Sequence, residues 1–184
     1  MIIAFEGLSC AGKSAVSSEL HLRHPEFNLV TEFLIKETPP ITTEMCMAND
    51  IAKYNYAQIL SDSGKIVLVD RSYLSTLVYT YAEGNKKYER TLNWYQNAFE
   101  KGLIRDADMY FYLRMQANKS IDRATSVNRL NKKYAWYNNV MVAYQKYENI
   151  FDERDLKKSC HKIDVDNLEF TKLISQVEDI INQL

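Results

Sequence analysis

The chain has 184 residues, 46% hydrophobic and 26% charged, a balance rich enough to bury a core and too apolar for a disordered segment. Lys plus Arg number 23 against 24 for Asp plus Glu, a net charge of −1, which disfavours a broad surface for coating polymeric nucleic acid. Cys10, Cys46 and Cys160 lie far apart without a CxxC pair, and no apolar run approaches the roughly eighteen residues of a membrane span, so a disulfide framework, a zinc cluster and a membrane protein are all disfavoured.

The apolar start, Ile2 to Phe5, lacks a basic leader and is too short for a signal peptide, so the cytoplasm is the expected compartment. Met1 to Phe5 reads as a strand. The stretch after Lys13 reads as a helix with Ala15, Val16, Leu20 and Leu22 on its apolar side. Phe27 to Thr31 is a second strand, and Pro39 and Pro40 mark a loop. Thr42 or Thr43 could cap a long helix toward Ser61, carrying Met45, Ala48, Ala52, Tyr56 and Ile59 at helical spacing. Ile66 to Val69 is a continuous apolar run, as in a strand buried on both faces. Helix follows through about Ala82, breaks at Gly84 and resumes from about Tyr88 to Lys101. Met109 to Leu113 is a fourth buried strand, and a polar, basic region runs from Asn118 to Lys133. A helix over Trp136 to Phe151, a strand over His161 to Val165 and an amphipathic helix from Glu169 to Leu184 complete the chain. Strand and helix alternate throughout, which predicts an α/β fold with a parallel sheet and helices on both faces, one domain over 1–184.

The string GLSCAGKS, Gly7 to Ser14, fits G-x-x-x-x-G-K-[ST], with a strand before it and a helix after it. Two glycines let the backbone curl so that successive N–H groups of Ser9, Cys10, Ala11 and Gly12 point at phosphate oxygens. The helix starting near Lys13 turns its positive dipole end to the same anion. Lys13 supplies a point charge for the β- and γ-phosphates, and the Ser14 hydroxyl ligates Mg²⁺, so ATP and Mg²⁺ are the expected cofactors. Asp70 closes the buried strand, where a carboxylate helps hold Mg²⁺. Arg71 follows directly and can grip a transferring phosphoryl group at the carboxyl edge of the sheet.

These motifs resemble the thymidylate kinase and deoxynucleoside kinase branch of phosphate-loop kinases. AFEGLSCAGKS is similar to their N-terminal FEG-x-x-GAGKS/T, and Asp70 to Gly84 follows DRY-x-x-SS-x-AYQ with Asp70, Arg71, Ser75 and Tyr79 in place. ADMYFYLR and the closing KIDVDNLEFTKLISQVEDII resemble the family's fourth strand and its last strand and helix. The resemblance implies a P-loop kinase fold: a five-stranded parallel sheet flanked by helices, with a short helical lid, here about residues 118–133. It places Tyr79 at the substrate, with Phe33 and Tyr73 as weaker candidates, and it assigns lid arginines to Arg123 and Arg129, with Lys132 and Lys133 beside them. Four departures stand out. Ser9 replaces an Asp, Thr31 to Ile35 replaces REPGG, Asn49 and Asp50 lie near the expected base-reading Arg, and Thr80 replaces Gln. The DRS triplet, Asp70 to Ser72, and the VTE segment, Val30 to Glu32, lean toward deoxynucleoside kinases.

Glu32 closes the second strand on the same sheet edge, where a carboxylate could accept the proton of an attacking hydroxyl. The leading expectation is phosphoryl transfer from ATP to a nucleoside monophosphate, and the alternative is a deoxynucleoside kinase using Glu32 as base. A nucleotide-binding switch is a third reading, weakened because Asn118 to Ile121 lacks the Asp of a guanine-binding N-K-x-D and because Arg71, not Glu, follows Asp70. A small-molecule acceptor and a homodimer are expected. His21 and His24 end the first helix without metal-ligand spacing, and Cys10 reads as a small spacer in the loop.

Overall fold

The computed structural model describes residues 1–34, 41–126 and 134–183. Five strands form one all-parallel sheet in the order β2-β3-β1-β4-β5. They are β1 (Ile2–Glu6), β2 (Asn28–Val30), β3 (Val67–Asp70), β4 (Met109–Arg114) and β5 (Cys160–Asp164). Seven α-helices lie among the described residues: α1 (Lys13–Arg23), α2 (Thr43–Asp62), α3 (Tyr73–Glu83), α4 (Asn85–Glu100), α5 (Ala117–Ser126), α6 (Tyr134–Glu153) and α7 (Phe170–Ile181). None of them is long and apolar enough to cross a membrane.

The two-residue period of the strands divides the core. Ile2, Ala4, Val67, Val69, Tyr110 and Tyr112 face the cluster under α2, α3, α4 and α6. Ile3, Phe5, Leu68, Phe111 and Leu113 face the cluster under α1 and α7. Both faces are buried, which is why the strands read as unbroken apolar runs. Strand order changes direction at β1, and in such sheets ligands bind beyond the carboxyl ends of the strands at that point.

Several sequence expectations meet corrections. Thr42 does cap α2, its side chain accepting the Met45 N–H at 3.2 Å. The buried face of α2 is not the apolar set, however. Ala48, Tyr56 and Ile59 are exposed, and the buried residues are Met47, Asn49, Asp50, Lys53 and Ala57. This helix turns a polar face inward because it lies over the carboxyl ends of the strands rather than over the core alone. In α1, Ala15 and Leu22 are exposed, while Lys13 and Ser17 are buried. The helix expected to resume near Tyr88 begins directly after Gly84, whose φ of 130° turns the chain between α3 and α4. The predicted basic region is helical over Ala117–Ser126. Pro39 and Pro40, and Arg129, Lys132 and Lys133, lie outside the described residues.

Candidate active site

The loop after β1 is shaped by close approach and by left-handed backbone. A Cβ on Gly7 would lie 2.4 Å from the Leu113 carbonyl oxygen, so β4 leaves room for hydrogen only. Cys10 takes φ 61° and Gly12 φ 98°, which curl the chain into the first turn of α1. The Ala11 N–H closes the turn on the Leu8 carbonyl at 3.3 Å. Lys13 is the first residue of α1, and its Nζ donates to the Leu8 carbonyl at 2.7 Å. Burial pushes the Lys13 amine down to about 7, and Arg71 nearby adds to the shift against Asp70, Glu32 and Glu6.

The Ser14 hydroxyl donates to Asp70 Oδ2 at 2.5 Å, while the buried Asp70 Oδ1 has no hydrogen-bond partner among the described residues. A buried carboxylate oxygen without a partner, beside a hydroxyl, is a hard oxygen donor set that suits Mg²⁺ with phosphate and water completing the shell. The lip of the loop is tied down from two directions. Tyr79 OH accepts the Ser9 N–H at 3.1 Å and lies 3.2 Å from the Ser9 hydroxyl. From α5, Ser120 Oγ donates to the Ser9 carbonyl at 2.7 Å, and Arg123 Nη1 reaches the Cys10 carbonyl at 3.5 Å. Arg123 therefore lies over the phosphate loop.

Opposite the loop, Arg71 leaves β3 in the left-handed region, φ 65°, with its N–H on the Phe5 carbonyl at 3.0 Å. Its guanidinium donates to the Gly7 carbonyl and to Ser75 Oγ, both at 3.1 Å. Its Nε lies 2.8 Å from Glu32 Oε1, an ion pair whose N–H is not aimed for a hydrogen bond. Burial opposes the Arg71 charge, but Tyr79, Tyr147, Glu32 and Glu6 outweigh it and raise the pKa above the ordinary arginine value. Glu6, fully buried at the end of β1, accepts from Ser72 N and Ser72 Oγ at 2.6 Å, Ser75 Oγ at 2.5 Å and Tyr147 OH at 3.0 Å. A buried carboxylate needs such partners, and here they fix the turn that carries Arg71.

Between these two sides lies a cavity of about 250 Å³. Ser9, Glu32, Phe33, Asn49, Asp50, Lys53, Arg71, Thr76 and Tyr79 are among its lining residues. Asp50 Oδ2 accepts from Tyr95 OH at 2.5 Å and Thr76 Oγ1 at 2.7 Å, and burial raises its pKa. Lys53 is 2% exposed, and burial lowers its pKa.

The structure thus brings Lys13, Ser14, Glu32, Phe33, Asp70, Arg71, Tyr79 and Arg123 to one sheet edge. Tyr73 is not among them: it is buried in the core and donates to Asp106 at 2.5 Å. Sequence reading passes over Glu6, Lys53 and Tyr147. The one signal for Glu6 is a charge inside an apolar strand, and for Lys53 its place four residues after Asn49 on a helix.

No protein-family model and no curated protein matches the chain. Solved structures do. A deoxyadenosine kinase from M. mycoides with bound dATP superposes with a TM-score of 0.73 at 17% identity, covering 99% of this chain and 100% of that one. The same enzyme with bound dCTP gives 0.69 at 16%, covering all of both chains. A thymidylate kinase from Candida albicans gives 0.68 at 16%, covering 99% of this chain and 91% of that one. The chain has the fold of the P-loop nucleoside and nucleotide kinases, as its motifs imply.

Proposed function

We propose that this protein is an ATP-dependent phosphotransferase whose acceptor is a nucleoside hydroxyl, with Glu32 as general base. The observation that carries the reading is the charge inventory of the acceptor cavity. Its described cations are Lys53, Arg71 and Lys87, and its described acids are Glu32, Asp50 and Glu83. Arg71 is paired with Glu32, Lys87 is paired with Glu83, and Lys53 donates to main-chain carbonyls. Every described cation of the wall already has an acid or carbonyl partner, and Arg71, which faces the transferring phosphoryl group, would not also serve a second phosphate dianion on the acceptor, which Glu32 would repel. A neutral hydroxyl suits the wall better and needs a base. This favours the nucleoside acceptor over the monophosphate that the sequence pattern puts first. The neighbours leave that choice open, since they include one nucleoside kinase and one nucleotide kinase by name.

In the proposed step the acceptor oxygen attacks the γ-phosphorus, its proton passes to the Glu32 carboxylate, and the bond to the β-γ bridging oxygen breaks to release ADP. Lys13, Arg71 and Arg123 spread positive charge around the transferring group. Mg²⁺ held by Ser14 and Asp70 would neutralise the β- and γ-oxygens when bound. Arg71 also holds Glu32 beside the acceptor. The test is ADP release measured over panels of nucleosides and nucleoside monophosphates, with wild type and Glu32→Gln. Turnover is expected on a nucleoside, and the variant should lose about a hundredfold or more in kcat with little change in ATP binding. Turnover confined to monophosphates, little affected by Glu32→Gln, would overturn the nucleoside reading.

A further inference from the structure

The two ends of the Glu32–Arg71 pair are held by one face of α2. Asn49 and Lys53 stand four residues apart, so they project from the same side of the helix, and both are 2% exposed. The Asn49 side chain grips the segment after β2. Its Nδ2 donates to the Glu32 carbonyl at 2.9 Å, and its Oδ1 accepts the Leu34 N–H at 3.0 Å. Lys53 grips the segment after β3. Its Nζ donates to the Asp70 carbonyl at 2.6 Å and to the Arg71 carbonyl at 2.7 Å. Neither side chain carries an apolar packing role that a leucine or methionine would not fill more cheaply. A buried amine and a buried amide are costly unless their partners matter. Their partners here are the main chains that carry the two charged groups, and at Arg71 that main chain is in a left-handed conformation that a non-glycine residue disfavours.

We propose that Asn49 and Lys53 are positioning residues: Asn49 sets Glu32 and Lys53 sets Arg71. Helix α2 is then the element that fixes the separation of the base from the phosphate-gripping cation. The inference rests on the role given to Glu32 and Arg71 above. Misplacement of a reacting group by about 1 Å can cost on the order of a hundredfold in rate. The loss should therefore fall on kcat with KM for ATP unchanged in Asn49→Ala, whose partners lie off the phosphate loop, whereas Lys53→Met, acting through Asp70 and the Arg71 hydrogen bond to Gly7, should raise KM for ATP as well.

Double-mutant cycles distinguish positioning from general support of the fold. Asn49→Ala and Lys53→Met are each combined with Glu32→Gln and Arg71→Ala, after thermal melting shows each variant folded. Asn49→Ala should cost on the order of a hundredfold in kcat in the wild-type background and almost nothing on top of Glu32→Gln. Lys53→Met should behave likewise over Arg71→Ala. Losses that multiply through in both cycles would overturn the proposal. A Glu32→Gln variant of unchanged kcat would instead overturn the base assignment, leaving the Lys53 cycle to judge the positioning. Crystal structures give an arm independent of activity. Arg71 is expected to leave φ near 65° in Lys53→Met, and the Glu32 main chain to shift in Asn49→Ala. An unmoved backbone at both places would overturn the proposal whatever the rates.

Discussion

Lys13 is a residue whose ionisation burial changes strongly. Its amine is held down to about 7 by burial, against an ordinary 10.5. Between those values the unfolded chain carries a proton that the native protein lacks, so this group's contribution to stability rises with pH across that window. A triphosphate in the loop favours the charged amine and raises its pKa again. Binding of ATP at about pH 8 should therefore take up a proton, and affinity should fall by about tenfold per pH unit above 7 until the amine of the complex titrates. Calorimetry in two buffers of different ionisation enthalpy measures the uptake. Its absence in wild type, or its persistence in Lys13→Ala, would assign the proton elsewhere. At Arg71, Lys keeps the charge but loses the fork that reaches Gly7, Ser75 and Glu32 together. Arg71→Lys should be strongly impaired in kcat, and unchanged kinetics would reduce Arg71 to support of the fold. Gly7→Ala meets the Leu113 carbonyl at 2.4 Å, while Gly12→Ala meets nothing within 4 Å. Gly7→Ala should cost about 3 kcal/mol or more, some 6–12 °C in Tm for a chain of this size, and Gly12→Ala clearly less. Equal melting temperatures for the two would show that the strand yields.

At the scale of elements, α2 is the informative one. Its sequence carries a helical apolar stripe, yet Ile59 is 69% exposed and Lys53 2%. Helices in a globular protein normally bury the stripe. Here the buried face covers the ends of β2 and β3, where main-chain carbonyls and amides need partners, so polar side chains win over apolar ones. Ile59→Lys should shift stability by no more than about 0.5 kcal/mol, while Met47→Ala, at a buried position on the same helix, should cost about 2–5 kcal/mol. Chemical denaturation of both variants checks this, and a costly Ile59→Lys would mean that the outer face of α2 is covered in solution. Helix α5 matters for a second reason. Through Ser120 and Arg123 it rests on the Ser9 and Cys10 carbonyls, which places a cation over the loop without a long excursion of chain.

For the whole molecule, the parallel order β2-β3-β1-β4-β5 gathers the site from segments far apart in sequence. The loop after β1, Glu32 after β2, Asp70 at the end of β3 with Arg71 after it, and Arg123 beyond β4 all emerge at one edge. Under the proposed function, the acceptor would be chosen by the balance of several charges at that edge rather than by any one motif. The sequence places a nucleoside monophosphate first on pattern, while the paired cations of the cavity favour a neutral acceptor.

The alternation of buried strands and helices, the strand-end carboxylates and the Gly7 to Ser14 loop were legible in the sequence alone. Each depends on local physics: hydrophobic period, glycine backbone freedom and the chemistry of a phosphate cradle. Lys13, Ser14, Asp70 and Arg71 were legible for the same reason, since a short motif with a fixed spacing carries its own geometry. The burial of Glu6, the polar inner face of α2 and the ion pair between Glu32 and Arg71 were not. Glu6 lies 66 residues from the Ser72 that it binds, and Asn49 lies 17 from Glu32. No local pattern records which donors such a group will meet, because that follows from strand order. Tyr73 shows the converse, a weaker substrate candidate in the sequence reading that the packing of α3 buries on Asp106. Local chemistry named the candidate reacting groups, and tertiary structure decided which of them face one another, since only the folded sheet sets the distances at which charges pair.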